Sequence, residues 1–107
     1  MTSFAFVLTT DGRVIALSPH AYHYDVDRAF TEALNDFFRC PTRARFCVPS
    51  LNVTVDAYFD ADESLLPVNT TAELFIDDWL QPKGRVVIDC RSLSQTLTHE
   101  LINAINV

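Results

Sequence analysis

Two histidines lie close to carboxylates in the first quarter of the chain. His20 and His23 are followed by Asp25 and Asp27. Imidazole and carboxylate groups bind metals and act as general acids and bases, so this stretch could serve a small metal-dependent hydrolase. A metal site would need a fourth ligand, which the pattern does not supply. We favour the simpler interpretation, a loop leading into a helix cap, and we expect neither a metal nor a cofactor.

Three cysteines are the other candidates for chemistry. Cys40 and Cys47 are seven residues apart, and Cys90 lies far downstream with His99. Zinc ribbons and fingers use tight C-x-x-C pairs, which are absent here. A nucleophile built from Cys90 and His99 would need a spatial approach that no motif predicts. We therefore expect free thiols that behave as small buried hydrophobic residues.

Carboxylates are densest in two short stretches. They are Asp56, Asp60, Asp62 and Glu63 in the first stretch, and Asp77 and Asp78, followed by Trp79, in the second. The EF-hand order of calcium ligands is absent. One interpretation is a solvated turn with exposed carboxylates that contribute little to stability. The other is an acidic surface, comprising all of these residues except Asp56, that binds a basic surface of a protein partner with Trp79 as an anchor.

Charge and composition exclude several classes of function. The formal net charge is −6, and Lys83 is the single lysine. Nucleic-acid binding depends on lysine and arginine that neutralise phosphates, so we expect no direct contact with DNA or RNA. No apolar run approaches the roughly 20 residues that span a bilayer, so we expect no membrane contact. The first ten residues do not resemble a signal peptide, which together with the odd cysteine count predicts a cytoplasmic location.

An N-terminal hairpin is predicted by two apolar runs and a turn signal. Residues 4–9 and 13–17 are rich in strand formers, and Asp11-Gly12 lies between them. Glycine tolerates the positive φ of tight hairpin turns, so we predict two antiparallel strands. The outer edge of this hairpin could pair with a second copy to give a homodimer.

Residues 25–38 predict an amphipathic helix. Apolar residues recur three and four positions apart, which places them on one helical face. Asp25 is the expected N-cap, and Pro41 prevents continuation of the helix. The residues expected in the core on this face include Phe30, Leu34 and Phe37.

The remaining residues supply three further strands and two helices. The predicted strands are residues 44–48, 51–59 and 85–90, and the predicted helices are residues 70–80 and 93–105. Asn69 can cap the first of these helices, and Ser92 with Gln95 has the spacing of a capping box for the second. The apolar run at residues 86–88 is typical of a central strand that is buried on both faces.

The order β-β-α-β-β-α-β-α predicts a single α+β domain over residues 1–107. We expect a mainly antiparallel sheet of about five strands, with the three helices on one face. The strand, acidic turn and helix of residues 51–75 form the unit around which we expect the rest to pack.

The central stretch resembles a family of small uncharacterised domains found in actinobacteria and their phages. Members of that family often pair an L-P-V-N-x-x-A segment with a G-x-V-V-I strand. Here Leu66-Pro67-Val68-Asn69 with Ala72 and residues 84–88 carry the similarity, which covers residues 51–90. The family usually has a glycine after the acidic residues of the turn, where this chain has Glu63-Ser64. The resemblance implies a phage or mobile-element setting and no particular chemistry.

Two functions from different classes follow. The first, which we favour, is a non-enzymatic protein-binding module: an acidic phage or mobile-element accessory protein that binds, or inhibits, a host or defence protein in the host cytoplasm. The second is a small metal-dependent hydrolase that uses His20, His23 and the nearby carboxylates. Elemental analysis of the purified protein distinguishes them.

Overall fold

Five strands and three helices occur in the part of the chain that the computed structural model describes, residues 4–17, 25–60, 65–76 and 81–106. The strands are β1 (Ala5–Leu8), β2 (Val14–Leu17), β3 (Pro41–Val48), β4 (Val53–Asp60) and β5 (Val86–Asp89). The helices are α1 (Val26–Phe37), α2 (Thr70–Glu73) and α3 (Gln95–Ile105). The predicted α+β class and element order are confirmed.

All neighbouring strands of the sheet pair antiparallel, in the order β2-β1-β5-β4-β3. The last strand in sequence, β5, therefore lies in the centre, between β1 and β4. Val86, Val87 and Ile88 are all 0% exposed, which confirms the prediction of a strand buried on both faces. The edge strands are β2 and β3.

The prediction that all helices lie on one face of the sheet is wrong. Phe30 of α1 packs with Val7 and Val87 on one face. Leu101 of α3 packs with Ile88, among others, on the opposite face. Because successive side chains of a strand point to opposite faces, the continuous apolar runs of β1 and β5 need cover on each side. The helices are therefore divided between two layers.

The N-terminal hairpin and the start of α1 follow their predicted local signals. Gly12 has φ of +85°, and Thr9 N donates to Arg13 O at 3.0 Å across the turn. Asp25 caps α1 by accepting a hydrogen bond from Arg28 N at 2.9 Å. On the sheet-facing side of this helix, Phe30 is buried, while Leu34 and Phe37 are partly buried against the same cluster.

The second helix is shorter than predicted. It ends at Glu73, whereas the pattern indicated continuation to residue 80. The cause is tertiary: Phe75 O accepts a hydrogen bond from Cys47 N at 2.7 Å, and Ile76 forms a β-bridge with Phe46. The chain leaves the helix in order to cover part of the outer edge of β3.

The third helix begins two residues later than predicted, and its N-cap is Ser94, not Ser92. Ser94 Oγ accepts from Leu97 N at 3.1 Å. Leu93 N instead donates to Cys90 O at 3.1 Å, so the residues after β5 first complete a turn.

Candidate interaction groove

A groove of about 190 Å³ lies where α1 ends and β5 begins. Its lining comes from separate segments: the end of α1, the end of β4, and the two connections that precede α2 and β5. The lining residues are Phe37, Phe38, Asp60, Leu66, Lys83 and Arg85. Aromatic and aliphatic surface thus lies next to two basic side chains and one carboxylate.

Asn69 positions the connection that supplies Leu66. Its side chain is fully buried, and Nδ2 donates to Leu8 O at 3.0 Å and to Gly84 O at 2.9 Å. Its Oδ1 accepts from Ala72 N at 3.1 Å, which confirms the predicted N-cap. One amide therefore joins the end of β1, the entry to β5 and the start of α2. The N-cap could be predicted from the sequence. The carbonyl groups of Leu8 and Gly84 could not be predicted as partners, because they are 61 and 15 residues away from Asn69.

Gly84 brings the two connections together. Its N–H donates to Pro67 O at 2.9 Å, and the adjacent Val68 and Lys83 form a β-bridge. The φ of Gly84 is +73°, and a Cβ at this position would lie 2.6 Å from Leu66 Cδ1. The positive φ therefore favours glycine here, and a Cβ would displace the Leu66 side chain from its position in the groove.

Arg85 lies over the ring of Phe37 in the groove. The Arg85 guanidinium carbon lies 5.0 Å from the centroid of the Phe37 ring. No carboxylate of the described residues lies within ion-pair distance of Arg85, which is exposed. Leu66 is 43% exposed and the preceding Leu65 is 97% exposed. Apolar surface of this kind, next to an arginine held on an aromatic ring, is typical of protein interfaces.

The burial of Asp60 contradicts one part of the predicted partner-binding surface. It was expected to be an exposed turn residue, but it is the last residue of β4 and only 6% exposed. Its Oδ2 accepts from Arg39 N at 2.9 Å, which ties the exit of α1 to β4. A hydrogen bond to a charged acceptor is worth about 1.5–3 kcal/mol, so Asp60 has a structural role. The other residues predicted for this surface lie outside the described residues; they are Asp62, Glu63, Asp77, Asp78 and Trp79.

A second group of charged residues connects the start of α1 to the end of β5. Arg91 donates to Asp89 at 2.8 Å and to Asp27 at 2.9 Å, and its guanidinium carbon lies 4.1 Å from the Phe30 centroid. The hydrogen bonds that Asp89 accepts from Arg91, followed by the negative charges of Asp89 and Asp27, raise the pKa of Arg91. We interpret this group as a clamp that holds α1 on the sheet. This group was not predicted from the sequence; the short spacing of Asp89 and Arg91 is the one local signal for it.

The outer half of the same sheet face is polar and open. Arg43, Arg45 and Asp56 border a shallow depression of about 360 Å³. Arg45 lies opposite Asp56 in the strand register, and Arg43 lies opposite Tyr58. Burial, with the negative charges of Asp56 and Asp89, raises the pKa of Tyr58. Opposite charges face each other here, and Ala44 is the one apolar residue in the lining, so this depression is the weaker candidate for a binding site.

The hydrolase candidates receive no geometric support. His20 and His23 lie outside the described residues. Among the residues that are described, no three histidine, cysteine, aspartate or glutamate side chains come together as a metal site requires.

Cys90 is not an activated nucleophile. It is 2% exposed, and burial, followed by the charge of Asp89, raises the pKa of its thiol to about 12. The thiol is therefore protonated at neutral pH, whereas nucleophilic cysteines act as thiolates. His99, the other residue considered for such a pair, is exposed on α3.

The three free thiols should differ in reactivity, because Cys40 is exposed, Cys47 is intermediate and Cys90 is buried. The prediction of small buried residues is thus wrong for Cys40. In titration with a chromogenic disulfide at neutral pH, we expect Cys40 to react rapidly in the native protein and Cys90 only after unfolding. Cys40→Ser should remove the rapid phase. Equal rates for all three native thiols, or fewer than three thiols in the unfolded, unreduced protein, would contradict this assignment.

None of the helices within the described ranges has the length and apolar character needed to cross a membrane. Comparison with protein-family models, with curated proteins and with solved structures finds no match to this chain. The resemblance to small actinobacterial and phage domains therefore stays an expectation.

Proposed function

We propose that this chain is a non-enzymatic protein-binding module that contacts its partner through the groove at the end of α1. The observation that carries the proposal is the exposed Arg85 guanidinium over the Phe37 ring, next to the exposed Leu66. Arginine and aromatic side chains contribute a disproportionate share of the binding energy in protein interfaces. A binding module also requires no catalytic group.

The predicted acidic turn adjoins this groove along the chain. Residues 61–64 connect Asp60 to Leu65, so Asp62 and Glu63 come two and three residues after a groove residue. We propose that these two carboxylates steer a partner whose surface is basic around the contact. Such steering raises the association rate and weakens with salt.

The size of the groove favours a protein partner over a metabolite. Its volume of about 190 Å³ is below the roughly 300–1,000 Å³ of ligand pockets. A space of this size suits one side chain or the end of a peptide. The alternative, a metal-dependent hydrolase using His20 and His23, predicts a stoichiometric metal in the purified protein, which elemental analysis detects.

The biological setting is part of the same proposal and rests on the resemblance of residues 51–90. In this setting the module is an accessory protein of a phage or mobile element. It would act in the host cytoplasm and occupy a host or defence protein. Host lysate is therefore the source from which a partner should be captured.

Replacement of Arg85 should abolish capture of that partner. We expect wild-type protein to retain a partner identified by mass spectrometry, and Arg85→Glu to bind it at least about 30-fold more weakly, the loss typical of an interface hot spot. The matched control is Arg28→Glu, which makes the same charge change on α1. Arg28 lies nine residues from Phe37, roughly 14 Å along the helix. Equal binding by the two variants, or no partner for wild-type protein, would overturn the proposal.

The acidic turn is tested in the same assay. Asp62→Asn combined with Glu63→Gln should slow association at low salt and leave the dissociation rate nearly unchanged. Asp60 is left intact because its replacement would disturb the hydrogen bond to Arg39 N. Unchanged association kinetics would show that the turn is only a solvated loop.

A further inference from the structure

We propose that the groove recognises a carboxylate borne next to an apolar side chain of the partner, such as an acidic residue flanked by an aromatic or a C-terminal carboxylate after one. This inference rests on the proposed function and specifies the chemistry of the partner. It follows from three features of the groove: the placement of its cations, the character of its floor and the orientation of its own carboxylate.

The groove contains one exposed cation, Arg85, and a second, partly buried one, Lys83. Arg85 is exposed and is positioned by Phe37, and Lys83 lines the same space. A guanidinium binds a carboxylate through two parallel hydrogen bonds, and its planar group has less freedom to lose once it is stacked on a ring. The aliphatic and aromatic surfaces of Leu66 and Phe37 are left for an apolar group attached to that carboxylate.

Asp60, the carboxylate that lines the groove, should not prevent the binding of an anionic group. Asp60 is 6% exposed and accepts a hydrogen bond from Arg39 N. It is thus engaged by the protein itself, whereas Arg85 is accessible to a partner. Since an accessible charge has the stronger effect on an incoming ligand, the groove should select anions, although the chain as a whole has a net charge of −6.

The test uses three small probes that differ in charge: 3-phenylpropionate, its neutral amide and 3-phenylpropylamine. Each is titrated into ¹⁵N-labelled protein, and amide shifts are followed by NMR. We expect 3-phenylpropionate to give saturable shifts that are largest at Leu66, Lys83 and Arg85, with an affinity at least about tenfold above that of the amide. The amine should be the weakest of the three probes.

Arg85→Gln is the informative variant because glutamine keeps a polar side chain and removes the charge. It should abolish the preference for the acid over the amide, whereas Arg28→Gln should retain it. Equal affinity for acid and amide, a preference for the amine, or shifts spread over the surface without saturation would each overturn the inference.

The two proposals can fail separately. If the probes show no acid preference but Arg85→Glu still abolishes capture of the partner, the groove is an interface with different chemistry. If the acid binds at Arg85 and lysate yields no partner, the groove is a carboxylate site and the proposed protein-binding function is wrong.

Discussion

Asn69→Ala should lower the free energy of unfolding by about 3–5 kcal/mol, because it removes three buried hydrogen bonds at once. The carbonyl oxygens of Leu8 and Gly84 lose their donor, and α2 loses its cap. Since these partners belong to different parts of the fold, the loss is not compensated locally. Denaturant unfolding measures the effect. A loss below about 1 kcal/mol would show that Asn69 does not hold this junction.

Asn69→Asp separates the cap from the two other contacts. The aspartate keeps an acceptor for Ala72 N but places a second oxygen against the two carbonyls, and it can donate there only when protonated. Its folded pKa should therefore exceed the unfolded value of about 3.9. A raised folded pKa means that its stabilising contribution is present below the unfolded pKa and is lost as pH rises. The deficit relative to wild type should thus be smaller near pH 4 than at pH 7, and equal stability of both proteins at pH 7 would contradict the assignment.

Phe30→Ala should lower the free energy of unfolding by about 3–5 kcal/mol, as expected for a buried phenylalanine. Phe30 is 2% exposed and makes edge-to-face contacts with Phe4 and Tyr58, at centroid distances of 6.1 and 5.5 Å. The guanidinium carbon of Arg91 lies 4.1 Å from the centroid of the same ring. Removing the ring leaves a cavity under α1 and also takes away the surface on which the Arg91 clamp rests.

Phe30→Leu is the matched control because it fills most of the space without an aromatic ring. It should cost less, about 1–2 kcal/mol. Urea denaturation followed by circular dichroism measures both variants. A denaturation midpoint that Phe30→Ala leaves unchanged would mean that α1 does not pack on the sheet.

Local signals predicted the elements well, because each rests on a few neighbouring residues. Asp11-Gly12 marked the hairpin, Asp25 and Asn69 marked two helix starts, and the apolar run at residues 86–88 marked the central strand. The predictions were wrong where a contact with a distant segment determines the local conformation. Phe75 leaves α2 because Cys47 N donates to its carbonyl oxygen, and no pattern in residues 70–80 shows that contact.

The apolar run at residues 86–88 also implied that the helices are divided between the two faces of the sheet, but all of them were predicted on one face. A strand buried on both sides needs two covering layers, and the run at residues 86–88 already indicated such a strand. Periodicity shows that a helix has an apolar face but does not show which side of the sheet receives it.

The groove could not be predicted because its lining is brought together by the fold. Phe37, Leu66 and Arg85 are far apart in sequence and of ordinary composition. Asp60 resembled the carboxylates of a solvated turn because it begins an acidic run. Its burial depends on Arg39 N, a backbone group 21 residues earlier, which sequence composition does not reveal.

Amide hydrogen exchange of the protein alone and with its captured partner tests the central claim, that binding occurs at the groove of Phe37, Leu66 and Arg85. We expect slower exchange on binding in peptides covering residues 37–40, 65–69 and 82–86, with β2 and α3 unchanged. Protection confined to β2 would instead indicate pairing at the sheet edge, where Ile15 is 49% exposed. Protection at β2 or α3 with unchanged exchange in the groove would show that the partner binds elsewhere.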